Sequence, residues 1–246
     1  IANQNVDNGY IRYHARLLDK KESGSCIGSC CEGQGTRLYG MLPEFIYKIA
    51  ADGLYVDLFN ESTIRWEQNG KTLSLHQHTA FPSTPDVKLH LELDGTAASK
   101  IRIRVPSWAA STMNISVNGK RVASGKPGAY VTLNRTWKSG DEISFTLPMS
   151  FRLTKYVGVT EDFCGKETYA LEYGPILMGL SGEAVKNGIV NLPFTVSELT
   201  AKLKPVAGKP SHFSIEGDGR QLEYVPYYGI MNNQSFTCYP FFAEKK

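Results

Sequence analysis

From Leu54 to Leu147 the chain alternates apolar and polar residues in short runs, each ending at a turn residue. Alternation with period two puts successive side chains on opposite faces of an extended strand. A chain written this way must bury one face of each strand in a layered β structure. Leu54, Val56 and Leu58 read as one strand, Leu73 and Leu75 as another, and Val87, Leu89, Leu91 and Leu93 as a third. Ile101-Arg102-Ile103-Arg104-Val105 alternates strictly and stops at Pro106. Ile115-Ser116-Val117 runs into Asn118-Gly119, a strong two-residue hairpin signal, with Val122 on the return strand. Tyr130–Leu133 and Ile143–Leu147 continue the series, with turn signals every ~8–15 residues, the rhythm of a β-sandwich. A second β block follows Pro148-Met149. In it Tyr169–Tyr173 and Ile176–Leu180 flank Gly174-Pro175, and Gln221–Pro226 and Ser235–Phe242 read as closing strands. The break between the blocks is placed near residue 153.

Ahead of the strands the period changes. Leu38, Met41, Leu42, Phe45, Ile46 and Ile49 recur at three/four spacing, which predicts a helix over about Gln34 to Ala50 with one buried stripe. Pro43 should kink that helix or mark its effective start, and Gly53 lies at its expected stop.

Cys30 and Cys31 stand just before this segment. Neighbouring Cα atoms are 3.8 Å apart, too close for the ~4.4–6.8 Å a relaxed disulfide needs. Together with Cys26 they put three of the chain's five cysteines within six residues, which is no disulfide framework. Thiolates on one short loop suit a soft metal such as zinc, or nucleophilic chemistry. Buried free thiols are the alternative, since cysteine also behaves as a small hydrophobe. Near the start of an otherwise β chain, the pair reads as the end of a longer protein.

The remaining candidates are weaker. His76 and His78 share a strand face and suit either a metal or a polar sheet surface; His14, His90 and His212 are isolated. Glu32 and Glu44 lie near the cysteines without an identifiable partner. Trp66, Trp108 and Trp137 suit sugar stacking, although Trp108 and Trp137 fall where core packing is expected. A net charge of +3 without a basic aromatic stripe excludes nucleic acid as a partner. No apolar run approaches the ~18–20 residues of a membrane span, and the N-terminus carries no signal peptide. The chain reads as soluble, with its compartment open between periplasm and cytoplasm. There is no Walker loop, dinucleotide fingerprint or nucleophile elbow.

In order along the chain, several motifs resemble the β-L-arabinofuranosidases of glycoside hydrolase family 127 and their relatives, formerly domain of unknown function 1680. They are Cys30-Cys31-Glu32-Gly33-Gln34-Gly35-Thr36-Arg37, Pro43-Glu44-Phe45-Ile46-Tyr47, Gly53-Leu54-Tyr55-Val56-Asp57-Leu58-Phe59, Gln77-His78-Thr79-Ala80-Phe81-Pro82, Arg102-Ile103-Arg104-Val105-Pro106-Ser107-Trp108, Val117-Asn118-Gly119, Pro127-Gly128-Ala129-Tyr130, Arg135-Thr136-Trp137-Lys138-Ser139-Gly140-Asp141, Leu147-Pro148-Met149 and Ala170-Leu171-Glu172-Tyr173-Gly174-Pro175. The resemblance spans about residues 26–180 and is loose over the last 65. It implies a mainly β chain: two β-sandwich, jelly-roll-like domains at 52–153 and 154–246, after a short α-helical remnant of an (α/α)6 barrel at 1–51. It also implies a retaining hydrolase with Cys30 as nucleophile and zinc ligand and Cys31 as a second zinc ligand, acting on arabinose-containing plant glycans. The family's upstream Glu and Cys ligands and its acid/base Glu have no counterpart here, so this chain alone is expected to be inactive and to bind zinc poorly. A non-catalytic carbohydrate-binding or scaffolding β-sandwich is the rival reading.

Overall fold

The structure is a computed structural model that describes residue 9 and residues 15–21, 30–157, 163, 165–217 and 219–244. It is mainly β, with two short helices. It divides into two compact units, residues 39–150 and residues 1–38 with 151–246. The first described elements are strand β1 (Leu18–Lys20) and helix α1 (Cys30–Ile46).

The 39–150 unit holds β2 (Tyr47–Ala50), β3 (Gly53–Val56), β4 (Ser62–Gln68), β5 (Lys71–Thr79), β6 (Asp86–Leu93), β7 (Thr96–Arg104), β8 (Met113–Val117), β9 (Lys120–Gly125), β10 (Tyr130–Lys138) and β11 (Glu142–Thr146). They form a four-stranded sheet ordered β10-β7-β3-β2 and a six-stranded sheet ordered β4-β5-β6-β11-β8-β9. The second is antiparallel throughout, whereas β3 runs parallel to β7 in the first. Leu54, Val56, Ile101, Ile103 and Trp137 of one sheet join Trp66, Leu75, Leu89, Ile115 and Ile143 of the other in a single buried cluster. These are the inward positions of the alternation. Trp137 is fully buried, and its indole N–H donates to the Ser99 carbonyl at 3.0 Å, which removes the cost of an unpaired buried donor.

Local chemistry fixes the register. Asn118 and Gly119 carry φ of 51° and 77°, so Val117 pairs with Lys120 across a two-residue turn. The Asn118 amide donates to Asp141 Oδ1 at 2.8 Å, the Lys138 N–H to Asp141 Oδ2 at 3.0 Å, and the Glu142 N–H to Asn118 Oδ1 at 2.9 Å. The β8–β9 turn is thereby tied to the β10–β11 turn. Burial alone would raise the Asp141 pKa; the Asn118 and Lys138 donors outweigh it and hold the carboxyl below its usual range.

The helix expected over 34–50 lies instead at Cys30–Ile46. Tyr47–Ala50 leaves the helix to pair antiparallel with Gly53–Val56, and the Ile46 carbonyl accepts the N–H groups of Asp57 (2.8 Å) and Leu58 (3.3 Å) rather than a further helical turn. Pro43 sits inside the helix rather than at its start. The stripe is not uniformly buried: Ile46 is, but Leu38, Phe45 and Ile49 are 42%, 50% and 54% exposed.

In the other unit β12 (Phe151–Lys155), β13 (Tyr169–Tyr173), β14 (Ile176–Ser181), β15 (Asn191–Leu192), helix α2 (Leu199–Lys202), β16 (Lys204–Pro205), β17 (Phe213–Gly217), β18 (Arg220–Pro226), β19 (Ser235–Thr237) and β20 (Phe241–Phe242) follow in order. An eight-stranded sheet runs β1-β19-β14-β18-β17-β16, with β13 and β12 added beside β14; β15 and β20 form a parallel pair. The segment 15–21 is stitched into this unit. β1 pairs with β19, the Cys238 N–H donates to the Leu17 carbonyl at 2.7 Å, and the Tyr227 hydroxyl donates to the Arg16 carbonyl at 2.9 Å. Lys21 is buried; its ammonium donates to the carbonyls of Tyr227 (3.2 Å) and Tyr228 (3.3 Å) and lies 4.9 Å from the Tyr227 ring centroid.

Two outcomes follow from this packing. Gly53 has φ of 148°, and a Cβ there would lie 1.8 Å from the Lys100 carbonyl oxygen. Gly53→Ala is therefore expected to cost at least about 2 kcal/mol in urea denaturation, through backbone strain and forced separation of β3 from β7. The depressed Asp141 pKa contributes stability that is present above the unfolded value near ~3.9 and is lost as pH falls through the folded value. Denaturation midpoints measured between neutral pH and about pH 3 should fall less steeply for Asp141→Asn than for the parent chain.

Candidate functional site

Cys30 is the first residue of α1 and is exposed as a free thiol. It sits where the first N–H groups of a helix have no intrahelical acceptor. Cys31 follows it in the same turn of backbone. Cys26 and Cys164 lie outside the described residues, as does His14. Downstream in α1, Thr36 Oγ1 donates to the Gly33 carbonyl at 2.9 Å. Among the described residues a Cβ at Gly33 or Gly40 would meet nothing within 4 Å.

Two thiols suit zinc by their softness, but a tetrahedral site needs four ligands. Among the described residues no three His, Cys, Asp or Glu side chains come together in a way that would hold a metal. The described residues therefore do not make a zinc site by themselves. Cys238 is a thiol of the opposite kind. It is buried beside Tyr227 and Phe236, and burial pushes its pKa up to about 12, so it packs as a hydrophobe.

His76 and His78 do share one face of β5, with rings 6.4 Å apart and nearly parallel. Both ring nitrogens of His76 are taken, by Thr63 Oγ1 at 3.0 Å and Glu92 Oε2 at 3.1 Å, and His78 Nδ1 meets Glu61 Oε1 at 3.0 Å. This is a cross-strand polar network on the surface of a sheet. Trp66 and Trp137 are buried in the core, and Trp108 is half-buried with its ring stacked on Phe81 at 5.9 Å.

Gln77 is fully buried on β5. Its amide nitrogen lies 3.2 Å from the Tyr47 hydroxyl, 3.2 Å from the Leu58 carbonyl and 3.4 Å from Ser62 Oγ, while Tyr47 and Ser62 are 2.9 Å apart. Burial raises the Tyr47 pKa. One amide thus fastens the residue that leaves α1 to the six-stranded sheet. Its place in the Gln77-His78-Thr79 motif is visible in the sequence, but its partners are 15 to 30 residues away.

A second cluster was hidden in the sequence. Lys100, Arg102 and Arg104 share the outward face of β7. Asp52 accepts from Arg102 at 2.6 Å and from Lys100 at 2.9 Å, and these two cations hold its carboxyl well below the usual carboxylate range. The Arg102 guanidinium lies 4.6 Å from the Tyr55 ring centroid, and the Tyr130 hydroxyl donates to Asp57 Oδ1 at 2.5 Å. Burial, reinforced by Asp57, pushes the Tyr130 pKa up to about 12. The alternating basic residues were the available signal; the acids that meet them flank β3, and the tyrosines come from β3 and β10.

Residues 53–149, most of the unit just described, match the family profile for "β-L-arabinofuranosidase, GH127 middle domain". This segment is a GH127 middle domain. The GH127 resemblance extends beyond it in structure. A GH127 β-L-arabinofuranosidase from Geobacillus stearothermophilus superposes with a TM-score of 0.73 at 21% identity, over 98% of this chain and 44% of that one. A glycoside hydrolase matches with a TM-score of 0.72 at 19% identity, over 99% of this chain and 46% of its own. A further GH127 β-arabinofuranosidase gives 0.71 at 20% identity, over 98% and 43%. The chain thus spans less than half the length of these structures. No curated protein matches it in sequence. Among the described residues no helix is long and apolar enough to cross a membrane.

The Gln77 contacts within the GH127 middle domain set a testable cost. Gln77→Leu keeps much of the side-chain volume but leaves the Leu58 carbonyl and the Tyr47–Ser62 hydroxyl pair without the amide. Chemical denaturation should show a loss of about 2–3 kcal/mol.

Proposed function

We propose that this chain is the C-terminal part of a retaining glycoside hydrolase of the β-L-arabinofuranosidase type, acting on arabinose-containing plant glycans. In this reading helix α1 is the remnant of an (α/α)6 barrel expected over 1–51, the strands on either side of it, Leu18–Lys20 and Tyr47–Ala50, already belong to β sheets, and residues 52–153 and 154–246 are two jelly-roll-like β-sandwiches. The observation that carries it is the GH127 middle-domain match over residues 53–149, immediately downstream of an exposed cysteine that opens a helix and has a second cysteine beside it.

Cys30 is the nucleophile. Its thiolate sulfur bonds to the anomeric carbon as the bond from that carbon to the leaving oxygen breaks, and a separate acid protonates the departing oxygen. Water, deprotonated by the same group, then attacks the anomeric carbon and returns the electron pair to sulfur. Two inversions give net retention. Most retaining glycosidases use two carboxylates for these roles, and here a thiolate takes the place of one. Cys30 and Cys31 are also zinc ligands in this reading; zinc, when bound, keeps thiols deprotonated at neutral pH. Its other ligands and the general acid come from outside the described residues.

The 246-residue chain alone should not hydrolyse p-nitrophenyl β-L-arabinofuranoside above the uncatalysed rate. Fused behind the barrel portion of a GH127 enzyme it should hydrolyse it with retention, and Cys30→Ser in that fusion should lower kcat by at least about 1,000-fold. Hydrolysis by the isolated chain, or a fusion whose activity survives Cys30→Ser, would overturn the proposal.

A further inference from the structure

In the unit formed by residues 1–38 and 151–246, a cleft of about 540 Å³ opens between the start of β13, the 195–197 turn and the end of β20. That volume falls within the ~300–1,000 Å³ typical of small-ligand sites. Two half-buried aromatic side chains, Tyr169 and Phe242, line it with ring centroids 6.4 Å apart and planes at 78°, so they make an L-shaped wall. The exposed rim carries Lys166, Glu167, Ser197 and Glu244.

The wall is held from behind. Thr168, almost fully buried, donates its hydroxyl to the Pro240 carbonyl at 2.9 Å, which ties the strand carrying Tyr169 to the segment carrying Phe242. The Phe241 N–H donates to the Val190 carbonyl and the Ala243 N–H to the Phe194 carbonyl, both at 3.0 Å. Thr195 and Glu198 form a capping box that fixes the turn bearing Ser197, and Thr195 Oγ1 and Ser197 Oγ are 2.9 Å apart. The rim carboxylate is oriented as well. Lys155 donates to Glu167 Oε1, and the Tyr169 hydroxyl donates to Glu167 Oε2 at 3.2 Å. Each carboxylate oxygen has lone pairs to spare beyond those bonds, and the same two donors hold Glu167 below the usual carboxylate range, so it remains an acceptor at neutral pH.

We propose that this cleft binds a segment of an oligosaccharide. A sugar ring presents a face of C–H groups edged by hydroxyls. The aromatic wall supplies a flat apolar surface for the first, and the Glu167 carboxylate, the Ser197 hydroxyl and the Lys166 ammonium supply acceptors and donors for the second. A lipid tail would use the apolar wall but leave the rim's carboxylate and hydroxyl acceptors and its ammonium donor without partners. Holding the glycan here requires no cysteine chemistry. Only the choice of arabinose as the first sugar to try rests on the hydrolase reading.

The test is a titration of the full 246-residue chain with L-arabino-oligosaccharides and, separately, D-xylo-oligosaccharides, followed by amide NMR shifts. We expect saturable shifts at residues 165–169, 195–197 and 242–244 with a dissociation constant on the order of 1 mM for at least one of the two sugars. Tyr169→Ala should weaken binding at least about tenfold. Tyr169→Phe, which keeps the ring, should stay within about threefold, and Cys30→Ser should leave binding unchanged. Should Tyr169→Ala unfold, Ser197→Trp at the exposed rim fills the cleft and must abolish binding. Absence of saturable shifts with both sugars at about ten times that concentration overturns the proposal, as does unchanged binding in a folded Tyr169→Ala or Ser197→Trp variant. Binding of the xylo-oligosaccharide alone sustains the cleft while counting against arabinose as its sugar.

Discussion

The Gln77 amide is the contact on which the 39–150 unit most depends. Its nitrogen reaches the Tyr47 hydroxyl at the head of β2, the Leu58 carbonyl just past β3, and Ser62 at the head of β4. These groups are in or beside the interior, where an unmade hydrogen bond costs more than a made one contributes. The same amide therefore specifies where the chain must go after α1. Tyr47 has to turn into β2, and the loop from Val56 to Ser62 has to fold over Gln77. The Ile46 carbonyl, taken by the Asp57 and Leu58 N–H groups, enforces the same turn from the helix side. Among the described residues the amide oxygen of Gln77 meets no hydrogen-bond donor.

Most of the strands were legible because each buries a single face. β5, β6, β7, β8, β10 and β11 fall on the alternating runs, and Asn118-Gly119 turns where that dipeptide predicts. β4 was missed because its run, Ser-Thr-Ile-Arg-Trp-Glu-Gln, carries only two large apolar residues, and the polar Gln68 is itself buried, donating to the Ala51 carbonyl at 2.9 Å. β2 was misread as helix for a different reason. Ile46 and Ile49 are three apart, a spacing that fits a helical stripe, yet Ile49 pairs with Leu54 across a hairpin. Tertiary pairing with β3 overrode a local pattern too short to discriminate between periods. The start of α1 was hidden for the reverse reason, since Gly33 and Gly35 are poor helix formers and mask the helix that contains them.

The cysteines divide in a way no count of residues could supply. Cys30 and Cys238 are both free thiols, but one stands exposed at the head of a helix and the other lies in a core among aromatic rings. Sequence singled out the first by its neighbour and its motif and was silent on the second. The roles of His76 and Trp137 resolved similarly, through partners distant in sequence. His76 is saturated by Thr63 and Glu92, and Trp137 reaches Ser99, each from another strand. A residue's type limits what it can do; its cross-strand neighbours decide among the options.

Helix α1 itself bears on the hydrolase reading. It contains Gly33, Gly35 and Gly40, each costing roughly 1 kcal/mol of helix stability relative to alanine, and an interior proline costing about 3 kcal/mol. Close packing among the described residues does not require the glycines at 33 and 40, because a Cβ at either would touch none of them within 4 Å. Nor does the chain recover the cost by burial, with Leu38 and Phe45 both substantially exposed. A helix of 17 residues built this way is a poor stabilising element for the contacts it makes among the described residues. Its composition is better matched to a segment kept for what its first turn presents and for surfaces supplied by the rest of a longer protein, which is the setting in which Cys30 and Cys31 would find their remaining partners.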